Sequence, residues 1–406
     1  MEKTSSGFKA LCGALGLIAA AGVAVWIYQL MGGLAVTGMS DGTSWGLYIT
    51  CFMFFVGLSA GGLIVASSAS VFHIEEYKKV ALPAIILSTV CICCAGMFIF
   101  IDLGGIQNVW RMLVGLNFMS PLAWDMIVIT LYLIINIIYL VMMTSKNLET
   151  RSKVRIVSRF ALPVAILVHS VTAWIFGLEI ARDGWYTAIM APLFVVSAMD
   201  SGLALLLLAL AGLQKAGWFT VEKKLFSNLA GLLATCVAID GYMVGCEALT
   251  MAYPGAEGAD MLAIMTSGAT ALFFWIELIV GILVPFCILV FAKNRQKTGM
   301  VVFASACVVV GVFCKRLWVL LTSFVGFAVS TPLGVIGGAE VWEATVGYSP
   351  TWAEYVIVAG VFALGTLAFL ILSKKMLGGS KKAAAAGSKD PAQEALDGLV
   401  TEGAAS

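Results

Sequence analysis

Ten stretches of bilayer-spanning length and low polarity follow one another through this chain, and they constrain its fold more than any other feature. A helical crossing needs about 20 largely apolar residues. Such stretches lie near 8–33, 45–72, 80–104, 121–144, 158–181, 188–213, 225–252, 267–292, 299–325 and 353–377. Of the 406 residues 61% are hydrophobic and only 12% charged, where a soluble domain carries roughly 25% charged residues. The expected fold is therefore an all-α integral membrane protein, with two four-helix bundles (helices 2–5 and 6–9) flanked by helices 1 and 10. A β-barrel is excluded, because its strands would alternate in short segments. The first apolar stretch, Phe8 to Val36, is too long for a cleaved signal and reads as a retained helix. The tail over 378–406, with Lys381, Lys382, an alanine run, Asp390, Pro391 and Glu394, is polar and is expected to be a disordered cytoplasmic end.

The formal net charge of +1 conceals a strong asymmetry. Of the 24 Lys and Arg residues, 20 fall on the side of the termini, Arg111 and Arg182 fall on the other, and Lys315 and Arg316 lie inside helix 9. By the positive-inside rule both termini face the cytoplasm, which suits a multi-pass protein of a bacterial inner membrane. An odd number of crossings would scramble this separation.

The ten cysteines all sit within predicted helices, and the one C-x-x-C spacing, Cys91 to Cys94, lies inside an apolar stretch. Iron–sulfur clusters need more spaced thiolates than this single pair, so the cysteines read as small apolar packing residues. The two histidines, His73 and His169, differ too much in depth to clamp one haem between them. No phosphate-cradling G-x-x-x-x-G-K-[ST] loop is present either. The chain is thus expected to carry no haem, cluster or metal, and to take electrons, if it handles them, from a partner.

Ionisable residues at bilayer depth cost at least a few kcal/mol and mark functional sites or structural ion pairs. A first group lies toward the outer face: Asp102 ending helix 3, Asp125 opening helix 4, and Glu179 and Arg182 closing helix 5, with Trp174 nearby. His169 lies about 15 Å deeper than Glu179 at 1.5 Å per residue. Its unperturbed pKa near neutrality suits it to bond a carbonyl group and exchange a proton; a satisfied core histidine is the alternative. A second group occupies helices 6 to 9: Asp200, Asp240, Glu247, Glu277, Lys315 and Arg316. Acids of this kind line proton relays; a structural ion-pair network is the alternative. Helices 2 and 6 also share a spacing, since Trp45 precedes Gly62 and Trp185 precedes Gly202 by 17 residues. Either duplication or parallel small-residue packing accounts for it.

Three segments resemble the NrfD/PsrC family of quinone-interacting membrane subunits, which includes polysulfide-reductase, HybB-like and menaquinone-reductase anchors. They are Trp45-Gly46-Leu47-Tyr48-Ile49; His169-Ser170-Val171-Thr172-Ala173-Trp174 running through Arg182-Asp183-Gly184-Trp185 to Ala191-Pro192-Leu193-Phe194; and Tyr348-Ser349-Pro350-Thr351-Trp352-Ala353-Glu354. The resemblance implies a subunit without its own redox cofactor that binds menaquinone or ubiquinone near the periplasmic end of the first bundle. It also implies a periplasmic ferredoxin-like iron–sulfur partner, with a molybdopterin-type subunit or a multihaem cytochrome c beyond it. Where some relatives have an acid after the tryptophan of the histidine segment, this chain has Ile175.

Together these readings divide the chain into a peripheral helix (1–44), a quinone-binding bundle (45–184), a proton-conducting bundle (185–325), a periplasmic docking loop (326–352), a last helix (353–377) and the tail. The expected function is electron exchange between a menaquinone pool and the iron–sulfur subunit, with proton translocation. The lipid bilayer is the other expected partner, and nothing suggests nucleic acid. A proton-coupled secondary transporter is the competing class, and it would work alone.

Overall fold

A computed structural model describes residues 6–40, 42–71, 74–145, 147, 153–182, 184–253, 255–324 and 347–377. Among them, ten helices are long and apolar enough to cross a membrane, and no strand occurs. They are α1 Ser6–Gly32, α2 Leu47–Val71, α3 Ala81–Asp102, α4 Pro121–Thr144 and α5 Val154–Gly177. Then come α6 Met190–Ala216, α7 Lys223–Ala252, α8 Ala271–Leu289, α9 Thr298–Leu321 and α10 Trp352–Leu377. Helices satisfy every backbone group within their own segment, as lipid demands. His73, the tail over 378–406 and all of the expected docking loop before residue 347 lie outside the described residues.

The apolar runs are punctuated by recognisable ends. Pro121 opens α4 at a position where its missing N–H costs nothing. Gly217, at φ +70°, closes α6 with bonds from Gly217 N to Gln214 O and from Trp218 N to Leu213 O, both 3.0 Å. Two departures from the sequence reading bear on function. Helix α5 ends at Gly177, so Glu179 and Arg182 stand in the turns beyond it rather than closing it. Inside α8, Ile276–Leu283 is π-helical, a distortion that hydropathy does not register and that often accompanies functional sites.

Helices α2 to α5 pack in a closed ring, and α6 to α9 form a second one. The rings meet where α2 lies against α6 and α9, and α5 against α6. Helices α1 and α10 pair with one another outside the rings, and α10 rests on α3. The start of α1 and the end of α10 share a side, because Lys374 Nζ sits 4.2 Å from the Phe8 ring centroid.

The shared tryptophan–glycine spacing of α2 and α6 has a direct packing meaning. Trp45 and Trp185 stack with ring centroids 6.1 Å apart. Deeper in the membrane the two backbones touch: a Cβ on Gly61 would stand 2.5 Å from Gly202 Cα. Only glycine permits that approach. Gly62 instead faces α3, where a Cβ would meet Ala84 O at 2.9 Å. Close packing of the two rings is sufficient reason for these small residues.

Candidate functional site

The inward face of α4 is polar although the helix is apolar overall. Asp125, Tyr132, Asn136 and Tyr139, spaced by seven, four and three residues, are all buried, so they form one stripe along the bundle interior. Near its start, Thr172 Oγ1 of α5 donates to Asp125 Oδ1 at 2.6 Å. Midway, the Tyr132 hydroxyl shares bonds with Ser59 Oγ of α2 at 3.0 Å and Ser88 Oγ of α3 at 3.1 Å. Ser88 Oγ also donates to Asn136 Oδ1 at 2.7 Å. Further along, Tyr139 donates to Ala66 O at 3.2 Å. Buried polar groups in lipid must find such partners.

His169 lies one helical turn from Thr172 on α5 and is 3% exposed. Neither of its ring nitrogens has a hydrogen-bond partner of good geometry among the described residues. An imidazole carries a donor and an acceptor in its neutral form, so both functions are open to a ligand.

The other members of the expected outer pocket disperse. Trp174 is 36% exposed on the outer surface of the ring, and Glu179 is exposed in the following turn. Arg182 places its guanidinium carbon 4.9 Å from the Phe324 ring centroid. Asp102 belongs to a separate polar region between α1, α2, α3 and α10. There Tyr48 OH donates to Gln29 Oε1 at 2.7 Å, and Gln29 Nε2 donates to Ile101 O at 3.1 Å. The Glu354 carboxylate takes the Tyr348 hydroxyl, Gly38 N at 2.7 Å and Thr351 N at 2.9 Å. Burial, followed by the bond to Glu354, holds the Tyr348 hydroxyl above the usual tyrosine range. Of the expected outer group, Asp125 alone is bonded to α5, through Thr172, one turn along that helix from His169.

In the second ring, the charges separate into two arrangements. Lys315 Nζ of α9 bonds Asp240 Oδ1 of α7 at 2.6 Å and Oδ2 at 2.8 Å, and pairs with Glu277 Oε1 of α8 at 3.0 Å. Trp318 Nε1 donates to the other Glu277 oxygen. The π segment carries Glu277, and beyond it Gly281 packs against Gly311, where a Cβ would come within 2.6 Å of the facing Cα. Arg316 points elsewhere: its Nη2 donates to Ser197 Oγ of α6 at 2.7 Å, and its Cζ is 4.1 Å from the Phe194 ring centroid. Asp200 of α6 is buried, with Oδ1 lacking a hydrogen bond among the described residues. Glu247 stands apart, accepting from Thr187 at 3.3 Å.

The polar stripe of α4, with Ser59 and Ser88, was not singled out from the sequence. Its signal was present, since four polar residues at heptad-like spacing in an apolar 24-residue helix mark an interior face.

Comparison with known proteins agrees with this architecture. The model of the family described as polysulphide reductase, NrfD, matches residues 35–328. A dimethyl sulfoxide reductase membrane subunit of Halobacterium salinarum is 30% identical over 382 residues, covering 87% of this chain and 88% of its own. The Hdr-like menaquinol oxidoreductase integral membrane subunit of Archaeoglobus fulgidus is 28% identical, with 87% and 90% covered. A selenate reductase subunit of Mesobacillus selenatarsenatis is 24% identical, with 88% and 91% covered. The first two are named as membrane subunits of oxidoreductases, and the third as a subunit of a reductase. With ten membrane-spanning helices and a family match over most of its length, the chain belongs to the NrfD family of polysulphide reductase membrane proteins.

Proposed function

We propose that this protein is the quinone-binding membrane subunit of a respiratory oxidoreductase complex, exchanging electrons between a menaquinone pool and an iron–sulfur subunit. The observation that carries this reading is the buried His169 imidazole, with neither nitrogen in a well-formed hydrogen bond among the described residues, one turn from the Asp125–Thr172 bond. A quinone fits such a group, because it offers a carbonyl acceptor when oxidised and a hydroxyl donor when reduced. It would be held by His169, Thr172 and Asp125, and it would supply two-electron, two-proton chemistry there. His169 presents a proton or a lone pair, Asp125 exchanges the second proton, and Thr172 orients the carboxylate. The menaquinol oxidoreductase among the relatives favours menaquinone.

In this reading the chain lies in a bacterial inner membrane with both termini cytoplasmic, which the positive-inside rule supports through the 20 basic residues on that side. The redox partner, an iron–sulfur protein linked to a molybdopterin-type subunit or a multihaem cytochrome c, docks on the periplasmic face. The second ring conducts protons through Asp200, Asp240, Glu277 and Lys315, with Glu247 at its outer end, so that turnover is electrogenic.

Purification in mild detergent tests the assignment. Iron–sulfur or haem absorbance from co-purifying subunits, together with extractable quinone, is the expected result. A colourless single protein that takes up a solute in exchange for protons would instead make the buried charges those of a secondary transporter.

A further inference from the structure

Helix α1 is the least buried of the ten crossings, and it packs along α10 rather than inside either ring. The pair is closest where Gly22 meets Gly360: a Cβ on either glycine would stand 2.6 Å from the facing Cα. Near its far end α1 is also tied to α3, because Gln29 Nε2 donates to Ile101 O at 3.1 Å. Deeper in the membrane α1 and α3 part. An apolar crevice of about 150 Å³ opens there between α1, α3 and α10.

Its walls run from Ala19 to Trp26 on α1 and from Ile357 to Leu364 on α10, about 10 Å along each helix at 1.5 Å per residue. Those spans, with Met97 to Ile101 on α3, occupy the half of the crossings remote from the two termini. Val23, Phe100 and Leu364 line the crevice and are themselves exposed, so it opens sideways into the bilayer. Among the lining residues only Trp26 carries a side-chain nitrogen or oxygen. Just beyond the crevice, Tyr28 and Trp352 stack at 6.0 Å, both exposed, as aromatic residues do at the headgroup level. An empty apolar space forfeits dispersion contacts along its lining. A cavity of this size and character stays dry and takes an apolar guest.

We propose that this crevice holds one acyl chain of a bilayer phospholipid, whose headgroup sits at the level of the Tyr28–Trp352 pair and whose chain fills the gap that α1 leaves against α3. A hydrocarbon chain asks for no polar partner, which is what the wall offers. A quinone ring needs placed donors to fix its carbonyls, and this wall has a single indole. The phospholipid headgroup needs no pocket, since it stays in the interface where water and the aromatic pair meet it. The lipid completes the packing of the α1–α10 pair onto the first ring through α3, so that this pair is the part of the fold that depends on lipid. The inference stands apart from the quinone reading.

Val23→Trp and Leu364→Trp fill the crevice from two walls. Each puts a larger apolar side chain at a bilayer-facing position, so the crossings are retained. The test reconstitutes the full chain in phosphatidylethanolamine nanodiscs doped with a phosphatidylethanolamine that carries a diazirine on one acyl chain, followed by irradiation and peptide mapping. Ile134→Trp, on the bilayer face of α4, is the control for bulk alone. The expected result is label concentrated on the peptides of Ala19 to Trp26, Met97 to Ile101 and Ile357 to Leu364. It falls several-fold in Val23→Trp and in Leu364→Trp, and it is unchanged in Ile134→Trp and by excess menaquinone. Label spread evenly over the bilayer-facing helices, or unmoved by both crevice variants, would overturn the proposal. Label displaced by menaquinone would overturn it as well and give the crevice to the quinone.

Discussion

Replacing His169 with alanine is expected to lower quinone-linked turnover of the assembled complex by about 100-fold or more, the usual span for loss of a positioned proton-transfer group. Assembly should survive. The imidazole makes no well-formed hydrogen bond among the described residues, so its removal takes away packing and chemistry but breaks no network there. The nearby Asp125–Thr172 bond and the Tyr132–Ser59–Ser88 cluster are formed without it. The measurement is oxidation of a water-soluble quinol analogue by the purified complex, with co-purification of the partner subunits as the control for folding. His169→Gln, which keeps bulk and a donor, should retain more activity than alanine. Turnover within about two-fold of the wild type in His169→Ala would make the chain an anchor with its quinone site elsewhere, since a proton-transfer group contributes far more than that.

The second large effect concerns stability. Lys315→Met should destabilise the second ring by about 3–5 kcal/mol, because removing one partner leaves uncompensated buried charge. Two carboxylates, Asp240 and Glu277, lose their only cation within salt-bridge distance among the described residues. The loss should appear as a lower midpoint of thermal unfolding and as proteolysis between α7 and α9. Asp200→Asn should behave differently. Its Oδ1 has no hydrogen bond, so the fold is kept, while charge movement in proteoliposomes is lost if Asp200 relays protons. A Lys315→Met protein as stable as the wild type would mean that the Lys315 ion pairs do not hold the second ring together. An Asp200→Asn protein with unchanged electrogenicity would remove α6 from the proton route.

The sequence made the ten crossings and their even number legible, because bilayer thickness fixes helix length and the distribution of Lys and Arg tests the count. The Lys315 network was legible in outline, since carboxylates and cations on three consecutive helices have few other ways to be buried. Site geometry was harder to read. Asp102 and Asp125 stand at similar depth on α3 and α4, and depth is what hydropathy reports. The side of the helix is set by packing: Asp125 meets Thr172 inside the ring, while the end of α3 that carries Asp102 meets α1, where Gln29 bonds the Ile101 carbonyl. Trp174 and His169 are five residues apart, a separation that turns them to opposite faces of α5. Arg316 and Lys315, adjacent in sequence, are divided in the same way, one toward Ser197 and the other toward Asp240. The π segment around Glu277 leaves no trace in composition at all.

One apolar crevice gives the quinone assignment a definite competitor. It lies between α1, α3 and α10, lined by Gly22, Trp26, Met97, Ile101, Ile357 and Gly360, on the far side of α2 and α3 from His169. The most direct test of the central claim is photolabelling of native membranes with a photoreactive menaquinone analogue, followed by peptide mapping. The account predicts label on α4 and α5 peptides containing Asp125 to Tyr132 and Val168 to Thr172, displaced by excess menaquinone and lost in His169→Ala. Displaceable label confined to α1, α3 and α10, with α4 and α5 unlabelled, would contradict it.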